Sequence, residues 1–288
     1  MEYIIENEYS NVRLDRFLRK KYPLVSLNEI FKGFRTGKIK VNGKKVKENY
    51  RLLLGDVVKV YFDDSKKEKI FFFELSEKEK NELATGIVYE DEGIIIFNKK
   101  NNVVMHKGSG HSYGLAEMFK AYYQNNNFNF INRIDKETSG LVIGAKSLEI
   151  ARILSEELRK GYVIKKYYIL VQGNIDENKF TLESFLRKEE SKVELYEAEI
   201  AGAKRSLTHY EVISRNSRYT LLVGRLESGR THQLRVQLSH RGIPIVGDKK
   251  YGVGSADQMY LYSFYVEIPR YNVKIEMPLP EKFYEKIK

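Results

Sequence analysis

Ile131-Asn132-Arg133-Ile134-Asp135-Lys136-Glu137-Thr138-Ser139-Gly140-Leu141-Val142-Ile143-Gly144-Ala145-Lys146-Ser147 carries a charged loop directly into an apolar run. Arg133 and Asp135 stand two residues apart. Thr138-Ser139-Gly140 reads as a turn, and Leu141 to Ile143 is short enough to be a buried strand. A carboxylate on an open loop that feeds a rigid core strand is well placed to act on a substrate. Taken alone, the same residues also fit a surface ion pair beside a hairpin turn. The flanking motifs decide between the two.

Downstream of this stretch, Leu148 to Lys160 reads as a helix and KKYYILVQG as a strand. Residues 174–204 are polar and strand-rich. SLTHYEVISR and YTLLVGRLES read as paired strands, Thr231 to Arg241 as a helix that Thr231 would cap, and MYLYSFYVEI as a further strand. Upstream, GIVYEDEGIIIFNKK gives two apolar strands around Glu90-Asp91-Glu92-Gly93. Leu115 to Tyr123 looks helical, and Gln124 to Asn129 is an asparagine-rich loop. The stretch IFFFEL, residues 70–75, reads as a first strand. Many strands with few helices between them predict an α+β fold on a mixed, mostly antiparallel sheet rather than a doubly wound one.

The first 62 residues differ in character. They hold 14 Lys and Arg against 7 Asp and Glu, a net +7, while the other 226 hold 36 against 32. Val12 to Lys21 is a short amphipathic helix. Ser26 with Glu29 three residues on is a capping-box signal for a second helix carrying Leu27, Ile30, Phe31 and Phe34 on one face. IKVNGKKV predicts two short strands around Asn42-Gly43, and VVKVYF a closing strand. Asp63 to Lys69 is a charge run. The expected division is a basic module over 1–62, a linker over 63–74 and a larger body over 75–288. A small basic module on a nearly balanced body suggests a polyanionic partner, most simply nucleic acid. A lysine-rich surface that serves solubility alone is the other explanation of the charge.

Several classes fall away. The chain of 288 residues has no cysteine, so it has no disulfide framework and no thiolate site. The start MEYIIENEYS is not a secretory signal, and no run reaches the ~18 apolar residues of a membrane span. The expectation is a soluble, cytoplasmic protein that does not engage membranes. GSGHSYG misses the dinucleotide spacing. GIPIVGD has the glycine spacing of a phosphate loop, but Asp248 stands where a lysine is needed. The five histidines, at 106, 111, 209, 232 and 240, show no metal-ligand spacing. No metal is expected. SGRTHQLRVQL is more informative, because Arg230, Thr231 and Arg235 crowd a helix start, where anions bind readily.

RIDKETSGLVIGAKS, KKYYILVQG and SGRTHQLRVQLSHRGIPIVGDKKYG, in this order, resemble the RluA-type family of RNA pseudouridine synthases over roughly residues 85–285. The leading module, with RLDRFL, GKIKVNGKKV and GDVVKVYF, resembles the RNA-binding domain named after ribosomal protein S four. The resemblance implies a catalytic aspartate at Asp135, a base-displacing arginine at Arg133, an active-site tyrosine at Tyr167 and an aspartate-pairing arginine at Arg230. It further implies an RNA face on the leading module, expected to use Arg16, Arg19, Lys32, Arg35, Lys38, Lys44 and Lys45. The chain departs from the family pattern at Asn132, where the family has histidine, at Ile134, where it has leucine, and at Lys100, where it has proline.

Such an enzyme breaks the bond from uracil to ribose, turns the base and rejoins it through carbon. The step is an isomerisation without redox change, so no cofactor is expected. A carboxylate can serve at the sugar or base, and the uridine must leave its stack to be reached. The implied substrate is large-subunit ribosomal RNA first and transfer RNA second, acted on by a monomer. Two alternatives belong to other classes. Asp135 and Glu137, ~6.6 Å apart at Cα on an extended chain, would form a hydrolytic glycosidase pair and release free uracil. A non-catalytic RNA-binding protein would use the basic module but offers no role for Asp135, Tyr167 and Arg230 together.

Overall fold

The computed structural model describes residues 1–22, 25–62, 72–107, 113–190, 192–252 and 256–288. In the leading module β1 (Glu2–Ile4) is followed by α1 (Leu14–Lys21) and α2 (Leu27–Thr36). The Ser26 side chain accepts from the Glu29 backbone N–H, and Gly37 ends the second helix in the left-handed conformation (φ 72°). β2 (Ile39–Val41) and β3 (Val57–Val60) complete the module in the order β1-β3-β2. Leu14, Phe17, Leu18, Ile30 and Phe34 pack on Ile39, Val41, Val58 and Val60 beneath the two helices. The predicted IKVNGKKV hairpin is therefore only half formed. Asn42 and Gly43 make the left-handed turn, but the Val41–Lys44 bridge is isolated and β2 pairs with β3 instead. The Asn42 side chain bonds both Asp56 and the Val57 N–H, which ties the turn to the distant strand.

Most of the expected linker and the first two residues of the predicted IFFFEL strand, residues 63–71, lie outside the described residues. Phe72 to Leu75 form no strand. A helix not foreseen follows, α3 (Glu77–Gly86), opened by a full capping box between Ser76 and Glu79. The S-E-K-E signal was present, but residues 77–86 bury only Leu83 and so show no apolar stripe.

The body is a large mixed sheet. Its elements are β4 (Ile87–Glu90), β5 (Ile94–Lys99), α4 (Leu115–Tyr122), β6 (Asn129–Phe130), β7 (Ser139–Ala145), α5 (Leu148–Arg159), β8 (Ile164–Gln172), β9 (Lys179–Lys188) and β10 (Val193–Tyr196). They continue with β11 (Lys204–Arg215), β12 (Tyr219–Leu226), α6 (Gln233–His240), β13 (Leu261–Ile268), β14 (Val273–Glu276) and α7 (Glu281–Ile287). The order is β10-β9-β11-β12-β8-β13-β7-β5-β4, with β14 on β13 and β6 on β7. Among the described pairings in this sheet only β13 with β7 is parallel, as the α+β expectation allows. Leu141, Ile143 and Ala145 pack under α5 with Leu154 and Val163, while Val142 faces Phe97 and Phe119. A strand covered on both faces has no polar side, hence the unbroken apolar run.

Ser139 and Gly140 belong to this strand and not to a turn. The turn lies earlier, where the Thr138 N–H donates to the Asp135 carbonyl at 3.1 Å. Gly140 has φ 109°, and a Cβ there would stand 2.2 Å from the Ser263 carbonyl oxygen. Glycine is thus required for the close approach of β7 to β13. Among the described residues no helix is long and apolar enough to cross a membrane.

Candidate active site

Asp135 sits on the loop that enters β7, between β13 and β5 in the sheet. Two buried anchors hold that loop. Asn132 accepts the Ile143 N–H on its side-chain oxygen at 2.8 Å. Lys99, fully buried at the end of β5, donates to the carbonyls of Lys100, Val103 and Lys136 at 3.0, 3.0 and 3.1 Å. Three donors meet three acceptors, so the ammonium is fully used. Burial pushes its pKa down to about 7, against the pull of Asp135.

The guanidinium that meets Asp135 is that of Arg235. Its Nη1 donates to Asp135 Oδ2 at 3.1 Å and its Nη2 to Glu137 Oε2 at 3.4 Å. Nε and Nη2 grip Asp248 at 2.7 Å each. Burial works against this cation, but the hydrogen bonds and charge of Asp248, with Asp135 behind, outweigh it and raise its pKa. Asp248 is 1% exposed. Burial opposes its charge too, yet Arg235 and the backbone N–H groups of Lys250 and Tyr251 hold its carboxyl below the usual range. The acid that spoils the phosphate-loop pattern of GIPIVGD is thus the clamp on the aspartate's partner.

The expected pairing through Arg230 is therefore corrected to Arg235. The helix α6 begins at Gln233, so Arg235 lies in its first turn and faces inward. Arg230 precedes the helix, is exposed, and donates from Nε to the Arg205 carbonyl at 3.2 Å. Thr231 does not cap. The Gln233 side chain takes the Arg230 N–H and the Ser228 hydroxyl instead.

A cavity of about 370 Å³ opens beside this cluster. Asp135, Arg133, Tyr167, Arg230, His232 and Leu261 are among its lining residues. Tyr167 projects from β8, opposite Ser263 of β13, and is 5% exposed. Burial pushes its phenol up to about 12, with Ser263 opposing and Asp135 assisting. It therefore keeps its proton at neutral pH. Arg133 is exposed on the loop, with no side-chain partner among the described residues.

His232 was not singled out from the sequence, since one histidine in THQ carries no spacing signal. It adopts a left-handed backbone (φ 54°), a conformation uncommon outside glycine. Its Nδ1 lies 2.7 Å from the Tyr251 hydroxyl and its Nε2 3.7 Å from Asp135 Oδ1. Burial holds its pKa below the usual histidine value, against the pull of Asp135.

The predicted cations of the leading module, Arg16, Arg19, Lys32, Arg35, Lys38, Lys44 and Lys45, are all exposed. Arg152 of α5 donates to the carbonyls of Glu8, at 2.8 Å, and Ser10 ahead of α1. Beside that contact Arg13, Arg16 and Arg51 share a groove with Arg152 and Arg159, and Ser155 and Arg159 line both this groove and the cavity. Among the described residues no cluster of His, Asp or Glu has the arrangement of a metal site.

The model of the RNA pseudouridylate synthase family matches residues 93–240, which span the Asp135 loop, Tyr167 and Arg235. The chain belongs to that family. Its members are isomerases that turn uridine in RNA into pseudouridine. The S4 domain model matches residues 12–58. A protein of Buchnera aphidicola subspecies Baizongia pistaciae named ribosomal large subunit pseudouridine synthase C is 35% identical over 85% of this chain and 78% of its own length. One of the same name from Vibrio cholerae is 31% identical over 96% and 89%. Among solved structures, human RNA pseudouridylate synthase domain containing 1 superposes with a TM-score of 0.60 over 75% of this chain and 89% of its own, at 24% identity, a likeness of fold.

Proposed function

We propose that this pseudouridine synthase modifies uridines of large-subunit ribosomal RNA, with Asp135 as the catalytic carboxylate. The observation that carries the assignment is the Asp135–Arg235–Asp248 chain at the rim of a cavity lined by Tyr167. Arg235 holds the Asp135 carboxylate in one orientation, and Asp248 keeps that guanidinium charged and still. A flipped uridine entering the cavity would lie between this carboxylate and the phenol. Tyr167 packs against the base and, because it keeps its proton, acts first as an orienting hydroxyl. Arg133, exposed on the same loop, is placed to fill the space that the base vacates. The relatives' names support ribosomal RNA over transfer RNA.

The division into an RNA-binding module over 1–62, a linker over 63–74 and a catalytic body over 75–288 is part of the proposal. The S4 match within 12–58 supports it. A cytoplasmic monomer that needs no cofactor is also part of the proposal, since the isomerisation involves no redox change. The glycosidase alternative is disfavoured because Asp135 and Glu137 are both drawn onto one guanidinium, whereas a glycosidase pair flanks the bond it cleaves. The test is to map pseudouridines in ribosomal and transfer RNA from cells with and without this chain. Loss of sites in large-subunit RNA is expected. Loss confined to transfer RNA would overturn the substrate assignment.

A further inference from the structure

Lys165 is a buried cation that the reaction just described does not use. It lies two residues before Tyr167 on β8, so both side chains leave the same face of the strand. It is 7% exposed and lines the same cavity as Asp135. No carboxylate, carbonyl or hydroxyl among the described residues pairs with its ammonium. Among the described residues, the buried side-chain atoms that lack a partner and are closed to solvent are Glu8 Oε1 and Asn132 Nδ2. Lys165 Nζ is not among them. A Cβ at Gly229 would stand 3.4 Å from the ammonium, so Lys165 Nζ lies against Gly229 in the lining of the cavity.

An ammonium held out of water without a partner is costly, and a protein that keeps one has an anion to offer it. Asp135 is not that anion, because it is engaged by Arg235. Burial alone pushes Lys165 down to about 8, with no acid opposing the shift. The same cavity is lined by Arg133, Arg159 and Arg230, none of which bonds Asp135. Uracil is neutral. The part of a nucleotide that matches a buried ammonium among further cations is its phosphate.

Resting on the reading of this chain as an RNA pseudouridine synthase, we propose that Lys165 binds a backbone phosphate next to the flipped uridine. The phosphate enters beside Gly229, and Lys165 thereby sets how deeply the nucleotide seats over Tyr167. Lys165 is a binding and positioning residue for the strand rather than a group that acts on the base.

The experiment uses the full chain carrying Asp135→Asn to stop turnover and a short RNA hairpin containing the uridine mapped as modified. Its affinity is titrated against salt with Lys165 intact, with Lys165→Met and with Lys165→Arg. Lys165→Met should raise Kd on the order of tenfold or more and flatten the log K versus log salt slope by about 0.7–0.9. Lys165→Arg should keep the slope. A second arm replaces each phosphate flanking the uridine by a neutral methylphosphonate. One replacement should weaken binding to the Lys165 protein and leave binding to Lys165→Met unchanged. This arm still decides the matter on the Lys165 protein if the Met variant does not fold. An unchanged Kd and slope, or equal sensitivity of both proteins to the neutral linkages, would overturn the proposal. So would a Met variant, with Asp135 restored, that binds normally but isomerises slowly, since Lys165 would then act on the base. Absence of pseudouridine formation on that hairpin by the unsubstituted enzyme faults the isomerase reading instead, while binding to the same hairpin still tests the phosphate contact.

Discussion

Arg235 touches three carboxylates, and their separate fates show what each does. Asp135 keeps one oxygen on Nη1 and stays open to the cavity, whereas Asp248 is enclosed and bidentate. Asp135→Asn removes charge without adding bulk. It should lower turnover by at least about a hundredfold and change the RNA Kd little. Single-turnover assays beside binding titrations check this, and activity within about tenfold of the parent would sink the catalytic assignment. Arg235→Met should be worse for the protein, because it leaves Asp248 buried without its partner, a loss of about 3–5 kcal/mol. Denaturant unfolding would show it. The pH dependence has a definite sign. Asp248 is held below its usual pKa of 3.8, so its stabilisation is present above that value and is lost as pH falls through the lowered one. Asp248→Asn should therefore flatten the fall in stability below about pH 4. A fall as steep as the parent's would place the acid sensitivity elsewhere.

At the scale of elements, the site depends on β7 and β13 approaching side by side while their neighbours run antiparallel. Gly140 permits that approach. Gly140→Ala brings a Cβ into the Ser263 backbone and forces alanine to φ 109°. The cost should be about 3 kcal/mol or more, seen as a large drop in Tm or failure to fold. A stable Gly140→Ala protein would mean that the two strands separate easily. The same strand shows how far periodicity carries. Leu141 to Ile143 was legible as a core strand because it is apolar throughout. The turn was misplaced by about two residues because Ser139-Gly140 has the composition of a turn and the geometry of a close contact. The opposite failure occurs at α3, whose cap was legible and whose weakly buried body was not. For IKVNGKKV the turn was legible, but the partner of β2 lies 15 or more residues away, beyond any local signal.

At the scale of the whole molecule, positive charge and chemistry divide between two regions. Residues 1–62 hold a net +7, and the residues around Asp135 all lie beyond residue 98. If the module contacts about four phosphates, a chain starting near Leu75 should lose ~3 units of the salt slope. It should choose its uridine less well yet retain some turnover at low salt and high enzyme. Salt titration of both proteins with pseudouridine mapping of the products checks this. An unchanged slope would show that the module does not anchor RNA, and an unfolded truncation would move the domain boundary. Arg152 loses its carbonyl partners at Glu8 and Ser10 in that truncation, so some loss of stability is expected besides the loss of charge.

The sequence by itself determined the family, the α+β class, the basic module and the loop of the candidate aspartate. Those properties live in contiguous runs: apolar strands, caps, a charge excess and long motifs. Only the tertiary structure decided which arginine meets Asp135, that Asp248 clamps it, and that His232 and Lys165 share its cavity. Arg230 and Arg235 lie five residues apart in one motif, and both fit an anion at a helix start. Which one faces inward depends on where the helix begins, and Gln233 sets that by bonding the backbone of Arg230 and the side chain of Ser228. Lys165 stands beside Lys166 in the sequence, and the pleat of β8 alone separates a buried ammonium from a surface one. Partner choice across 100 residues, as between Asp135 and Arg235, is a property of packing, and no local pattern encodes it.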